Sequence, residues 1–302
     1  MTIPAMKDEG YDPDYSAALA SAASLLGPMI PPSITLIVYA GLTEASVQKL
    51  FLATLTPAIL CTVAFLAYTL WYGKKKNLPK QPKKTAKEAG KIMLDAIWAL
   101  LLPVIVLGLI FSGATTVTEA AAVSCLYSAV VSLFIYKTIT FKDLLKILGD
   151  SAVSIAAIMI LVGMSKATAY VVISSQMPQL FMDFITSITD SRFVVLLIIN
   201  VIFLILGCLM EGNCIIVMMV PLLLTLVKSF GIDLLQFGVM SAINIYIGCI
   251  TPPVGVSLLL GCKLGKTSVG GTFKAILPFF AISMVILILV TYWPSFTLWL
   301  IH

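Results

Sequence analysis

Gly248-Cys249-Ile250-Thr251-Pro252-Pro253-Val254-Gly255-Val256-Ser257 interrupts an otherwise apolar run that extends from residue 237 to residue 264. Two adjacent prolines have no place inside a regular helix. Pro252 and Pro253 carry no amide hydrogen, so the carbonyls of Gly248 and Cys249 lose the donors that a helix would have given them. Backbone that leaves the helical ladder at membrane depth survives only where it is packed in protein or lines a polar cavity. The stretch therefore reads as a binding site for a ligand that seeks oxygen.

The same interruption occurs earlier, in Gly27-Pro28-Met29-Ile30-Pro31-Pro32-Ser33-Ile34-Thr35, and the two stretches align without a gap at an offset of 221 residues. Gly27 falls on Gly248, and Pro31-Pro32 on Pro252-Pro253. The register extends outward to pair Gly10 with Gly231, Asp12 with Asp233 and Pro57 with Pro278. A duplicated unit explains this better than two coincidental kinks. Interrupted apolar segments at corresponding positions of two halves point to the substrate and ion site of a secondary transporter.

Composition sets the class. Of the 302 residues, 60 % are hydrophobic and 11 % charged, with a mean hydropathy of +1.07, whereas soluble domains carry about 25 % charged residues. Several runs approach the roughly 20 apolar residues that a spanning helix needs. They do not alternate residue by residue, as the spans of a β-barrel would. The expected fold is thus an all-α multi-span membrane protein with broken helices in two repeats. The net charge of +5 is no nucleic-acid signal, because the lysines lie in loops beside spans. Six cysteines are scattered through apolar segments and read as small reduced core residues. The one histidine, His302, ends the sequence, so metal clusters and Ser-His-Asp chemistry find no residues. An intramembrane enzyme, the alternative from another class, would need a nucleophile and base or paired carboxylates.

In chain order, a small-residue helix over 15–26 precedes the first break, and a short second half runs over 34–41. A span over 51–72 follows. Residues 73–91 hold eight lysines and belong in the cytoplasm by the positive-inside rule. An amphipathic helix over 83–98 leads to spans at 92–111 and 119–136. An interfacial amphipathic helix is expected over 137–150, a span over 151–173 with Lys166 along it, and a second amphipathic stretch over 176–191. Apolar arms over 192–210 and 214–227 flank Glu211-Gly212-Asn213. The second arm has 14 residues and contains Pro221, so the pair reads as a re-entrant hairpin over 192–228 rather than two crossings. The second broken helix occupies 231–264, residues 263–274 form a basic loop, and the last span covers 276–293 with Tyr292, Trp293 and Trp299 as an aromatic belt. Three regions result: 1–72, the end of repeat one with its following span; 73–150, the basic loop, two spans and an amphipathic arm; and 151–302, repeat two.

Counting basic residues tests this layout. With 73–91 in the cytoplasm, that side receives fifteen lysines and the other side only Lys49, Arg192 and Lys228. The first broken helix then runs outward and the second inward, so the repeats are inverted.

Three ordered motifs, GPMIPPS at residues 27–33, TEAAAV at 118–123 and GCITPPVGVSLLL at 248–260, make the chain resemble the large membrane subunit of tripartite ATP-independent periplasmic (TRAP) transporters over essentially its whole length. The resemblance implies an elevator-type importer in the bacterial inner membrane that couples sodium to uptake of a small organic anion, such as a C4-dicarboxylate or sialic acid. It implies a periplasmic binding protein that delivers the substrate, a small membrane subunit alongside, and no cofactor beyond the coupling ion. The tip at Glu211-Gly212 departs from the family's usual aspartate-proline. The first hairpin of that family would precede Met1, with Thr2-Ile3-Pro4-Ala5-Met6 as its returning end, so an incomplete or split subunit inactive alone is one alternative and a related antiporter another.

On this reading the candidate sodium ligands are Gly207, Gly212, Asn213, Gly248, Cys249 and Thr251, with Gly27 and Ser33 at the other break. The candidate substrate contacts are Pro31, Pro32, Pro252, Pro253 and Asn213. Thr251 and Ser33 offer hydroxyl oxygens suited to a hard cation, or else each caps its own half-helix. Asn244 and Asn213 are either interhelical hydrogen-bonding amides or site residues. Glu119 opens a helix, where it caps or acts. Lys166 either snorkels or meets a partner such as Glu211.

Overall fold

The computed structural model describes residues 2–76 and 85–301. The lysine-rich run over 77–84 and the side chain of Lys166, with the cytoplasmic loop and the snorkelling or Glu211 pairing expected of them, lie outside the described residues. Every regular element among the described residues is helical. Among the described residues, seven helical segments are long and apolar enough to cross a membrane, which makes the chain a multi-span membrane protein. It divides into two compact units, Met1–Pro79 with Met164–His302, and Lys80–Gly163.

The larger unit begins with α1 (Thr2–Asp8) and α2 (Pro13–Ser24). A one-turn helix α3 (Leu26–Met29) leads into the first break, and α4 (Ile34–Thr43) resumes beyond it. The long α5 (Val47–Lys75) follows and contains Pro57. In the smaller unit, α6 (Ala86–Phe111) and α7 (Val117–Val130) form an antiparallel pair, and α7 ends in a π-helical turn, Val131–Ile135. Tyr127 and Tyr136 donate to the Trp98 and Asp95 carbonyls of α6 at 2.8 and 2.6 Å.

Two boundaries differ from expectation. From Ala86 on, the amphipathic stretch expected over 83–98 and the span after it are one helix, α6, started by a reciprocal cap between Thr85 and Glu88. The Thr85 amide also holds the exposed Glu88 carboxyl below its ordinary range. Likewise, the interfacial helix expected over 137–150 and the span behind it are one helix, α8 (Phe141–Ser174). The lysines and leucines over 137–150 set the expected boundary, and Gly149 beside it does not break the helix. A glycine inside a helix costs only about 1 kcal/mol relative to alanine, which does not stop a 34-residue helix.

The rest of the larger unit runs through α9 (Met177–Ile188), α10 (Arg192–Leu209), α11 (Gly212–Ser229), α12 (Leu234–Cys249), α13 (Val256–Gly265), α14 (Val269–Tyr292) and α15 (Pro294–Leu298). The basic loop expected over 263–274 shrinks to the turn between α13 and α14. Lys263 lies in the last helical turn of α13 and Lys274 is already inside α14.

The duplication is visible element by element. Helices α2, α4 and α5 correspond to α12, α13 and α14 at the 221-residue offset. Asp12 and Asp233 are both N-caps: Asp12 accepts from the amides of Asp14 and Tyr15 at 2.8 and 3.2 Å, and Asp233 from those of Leu235 and Gln236 at 2.8 and 3.1 Å. Gly10 and Gly231 both have positive φ, both proline pairs are joined by cis peptide bonds, and Pro57 and Pro278 both lie inside helices.

The two halves cross. The second half of each broken helix packs on the first half of the other, α13 on α2 and α4 on α12. A Cβ on Gly261 would collide with the Ser21 hydroxyl, and one on Gly265 would sit 3.1 Å from the Ala17 methyl. In the other crossing, a Cβ on Gly238 would meet the Tyr39 ring at 2.6 Å, and the Tyr39 hydroxyl donates to the Leu234 carbonyl at 2.6 Å. Ala17 and Gly238 are equivalent positions, so the two crossings use the same place on each first half, with Gly265 facing it in one and Tyr39 in the other. Small residues at both crossings let the backbones approach, which matters in lipid, where packing rather than water exclusion drives association. Around them Leu36, Leu50, Phe51, Phe203, Phe237 and Phe279 are fully buried.

Candidate functional site

Helix α10 runs beside α12 in the same direction, with Arg192 near Gln236, Asn200 against Asn244 and Gly207 against Gly248. The two helices end together. Absence of a side chain at both glycines makes this possible: a Cβ on Gly248 would lie 2.5 Å from the Gly207 carbonyl carbon, and one on Gly207 would lie 2.5 Å from the Ile245 oxygen. The hairpin tip thus arrives at the second break itself and is tied there by the Gly255 amide, which donates to the Cys208 carbonyl at 2.9 Å. Gly255 adopts φ +41° and is buried.

At the break, the expectation that two carbonyls stand free needs correction. Thr251 turns its amide back onto the Gly248 carbonyl at 2.9 Å, a tighter i to i+3 bond that replaces the one Pro252 cannot give. Among the described residues none donates to the Cys249 carbonyl, which points toward Gly255. The Thr251 hydroxyl donates to the Ile247 carbonyl at 2.8 Å, which leaves its own lone pairs available.

The tip is also shorter than expected. Glu211 is the N-cap of α11, with one carboxyl oxygen accepting from the amides of Asn213 and Cys214 at 3.0 and 3.2 Å, so Gly212 and Asn213 are already helical. The second arm therefore has 18 residues rather than 14. Asn213 donates through Nδ2 to the other Glu211 oxygen at 2.9 Å and accepts from the Thr35 hydroxyl at 2.9 Å. Thr35 in turn lies 2.6 Å from the Tyr246 hydroxyl.

Of the candidate residues, Gly207 lies on Gly248, while Cys249 and Thr251 lie beside Gly255, and Gly212 and Asn213 stand one turn away on the tip, against Tyr246 and Thr35. Ser33 is buried at the other break and caps α4, accepting from Leu36 at 3.5 Å. Gly27 lies on α3 with open space where a side chain would be. Pro32 and Pro253 are exposed, Pro252 partly so, and Pro31 is buried. Asn244 makes the interhelical bond foreseen as one of its two readings, donating to the Asn200 carbonyl and side chain at 2.8 and 2.7 Å. Its own side-chain oxygen is buried without a partner. Glu119 closes a capping box with Thr116. Thr35, Tyr246 and Asn200 were not singled out in the sequence. A lone tyrosine hydroxyl or asparagine within an apolar half-helix is the signal that could have found them.

Two crossed broken helices, with a hairpin tip seated on one of the breaks, define a membrane transport protein built from a duplicated unit. Residues 1–296 match the family described as the tripartite ATP-independent periplasmic transporter, DctM component. The chain is 34 % identical to the sialic acid TRAP transporter large permease protein SiaM of Vibrio cholerae and 36 % identical to the C4-dicarboxylate TRAP transporter large permease protein DctM of Pseudomonas aeruginosa, in each case over 99 % of this chain and 70 % of the relative. It is 31 % identical to the 2,3-diketo-L-gulonate TRAP transporter large permease protein YiaN of Escherichia coli, over 98 % of this chain and 69 % of that protein. The chain belongs to the DctM family of TRAP transporter large permeases. It is a multi-pass transport subunit of the inner membrane and not an enzyme.

Proposed function

We propose that this chain is the membrane subunit of a sodium-coupled importer of a small organic anion, one delivered by a periplasmic binding protein, and that it works beside a small membrane subunit. The names of the three relatives supply the substrate class, since sialic acid, C4-dicarboxylates and 2,3-diketo-L-gulonate all carry a carboxylate. One observation carries the ion: the Cys249 carbonyl and the Thr251 hydroxyl oxygen sit at the C-terminal, partially negative end of α12, where the hairpin backbone at Gly207 meets Gly248. A cation is favoured there, with Gly212 and Asn213 closing from the tip. Gly27 and Ser33 form the equivalent place at the first break. The anion belongs at the opposite dipoles, the N-terminal ends of α4 and α13 just past the proline pairs, with Pro32 and Pro253 presenting the open faces and Pro31, Pro252 and Asn213 behind them.

The test is uptake by the complete transporter in proteoliposomes, supplied with its binding protein under an inward sodium gradient. Thr251→Val removes the hydroxyl at nearly constant volume. It should raise the sodium concentration for half-maximal uptake while leaving the melting temperature unchanged. An unchanged sodium dependence removes Thr251 from the site, and equal uptake with potassium in place of sodium overturns sodium coupling.

A further inference from the structure

The hydrogen bonds at the hairpin tip have only one consistent direction. Glu211 Oε2 receives the amides of Asn213 and Cys214, and a carboxylate oxygen only accepts, so the Asn213 atom facing Glu211 Oε1 is Nδ2, and Oδ1 faces Thr35. An amide oxygen only accepts, so the single Thr35 hydroxyl proton is spent on Asn213. Tyr246 must then be the donor across the 2.6 Å contact, giving the order Tyr246 to Thr35 to Asn213 to Glu211.

These residues come from three elements: Thr35 from α4, just past the first break, Tyr246 from α12, just before the second, and Asn213 with Glu211 from the start of α11. Thr35 is 1 % exposed. The interactions that build the shared architecture occur twice, as the aspartate caps and the two crossings do. This one occurs once. At the 221-residue offset Thr35 falls on Val256 and Tyr246 on Leu25, neither of which can hydrogen-bond through its side chain. The cluster is thus an addition to the duplicated fold and not a requirement of it.

We propose that Thr35 and Tyr246 are positioning residues, a hydroxyl latch that holds the start of α11 against both broken helices. The end of α10 is anchored independently, through Gly207 against Gly248 and Cys208 to Gly255. Across the tip, the polar ties of the first turn of α11 to the broken helices run through the latch, beside the contact of Gly212 with Ile245 and Tyr246 and the apolar packing of Ile215 and Ile216. Thr35 carries both bonds, so its loss leaves Asn213 Oδ1 and the Tyr246 hydroxyl without partners together. Loss of the Tyr246 oxygen removes one bond and leaves the other.

Cys214, half-buried in that first turn, reports on it directly. With the exposed Cys125 replaced by serine, the rate at which a small maleimide labels Cys214 in the purified full-length subunit measures how often the turn lifts. Thr35→Val should raise that rate about tenfold and Tyr246→Phe about threefold, in keeping with the modest strength of single interhelical hydrogen bonds in membrane proteins. Thr35→Ser, which restores the hydroxyl, should label as the parent does. The measurement needs neither sodium nor substrate, so its outcome is separate from that of the transport reading on which the latch's role in uptake rests. Parental labelling of Thr35→Val at an unchanged melting temperature overturns the latch, and so does failure of Thr35→Ser to restore the parental rate. Should Thr35→Val not fold, Tyr246→Phe decides alone: faster labelling supports the latch and parental labelling overturns it.

Discussion

Gly207 and Gly248 show how much rests on the absence of one methyl group. A Cβ at either position would lie 2.5 Å from backbone of the facing helix, and backbone cannot rotate aside as a side chain can. Gly248→Ala or Gly207→Ala should destabilise the protein by about 1–3 kcal/mol, the usual cost of overpacking, and lower the melting temperature in detergent. Gly27→Ala, at the position equivalent to Gly248, meets nothing within 4 Å and should leave the melting temperature unchanged. A fall equal to that of Gly248→Ala would show that the first break is covered as the second is. At this scale the sequence was partly legible. The proline pairs announced both breaks, and the offset named Gly248, because missing amide hydrogens and repeats are properties of residue identity. That Thr251 turns back onto Gly248 depends on the backbone direction at the break, and that Thr35 reaches Asn213 depends on how elements 178 residues apart come together. No local pattern encodes that.

Among elements, the reciprocal crossing makes a sharper prediction than any single contact. Gly261→Ala drives a methyl group into the Ser21 hydroxyl, which itself donates to the Ser257 carbonyl at 3.1 Å. Gly261→Ala alone should lower stability. Adding Ser21→Ala removes the colliding oxygen and should return much of the loss, so the pair is expected to be non-additive by roughly 0.5–3 kcal/mol. Strict additivity of the two melting-temperature changes would mean that α13 does not lie on α2 at this spacing. The caps offer a simpler check. Asp12→Ala and Asp233→Ala should each cost about 0.5–2 kcal/mol, since each removes an acceptor from two helical amides. Element type was legible throughout, while boundaries were not. Hydropathy marks where a helix enters lipid, whereas hydrogen bonding decides where it ends, so α6 and α8 run past the polar stretches read as separate pieces.

For the whole molecule, the lysine asymmetry predicts sidedness. Single cysteines at Lys76 and Lys266, beyond the C-terminal ends of α5 and α13, should be labelled from the cytoplasm, and cysteines at Lys49 and Lys228 from the periplasm. Labelling of Lys76 and Lys266 positions from opposite sides would break the inverted arrangement. The crossing also bears on how such a chain is made. Helices α2 and α4 leave the ribosome well ahead of the α13 and α12 helices against which they pack, 236 residues separating Ser21 from Ser257 and 195 separating Tyr39 from Leu234. At about 5–20 residues per second, that is a wait of roughly 10–40 s in the bilayer. During it the Ser21 and Thr35 hydroxyls and the first break have none of the partners that the second half will supply. Polar groups bare to hydrocarbon for that long are costly, so the first half must be sheltered at the insertion site until the second arrives. Biogenesis of this protein is therefore a matter of holding one half open for the other, and its yield should depend on the capacity of the insertion machinery to do so.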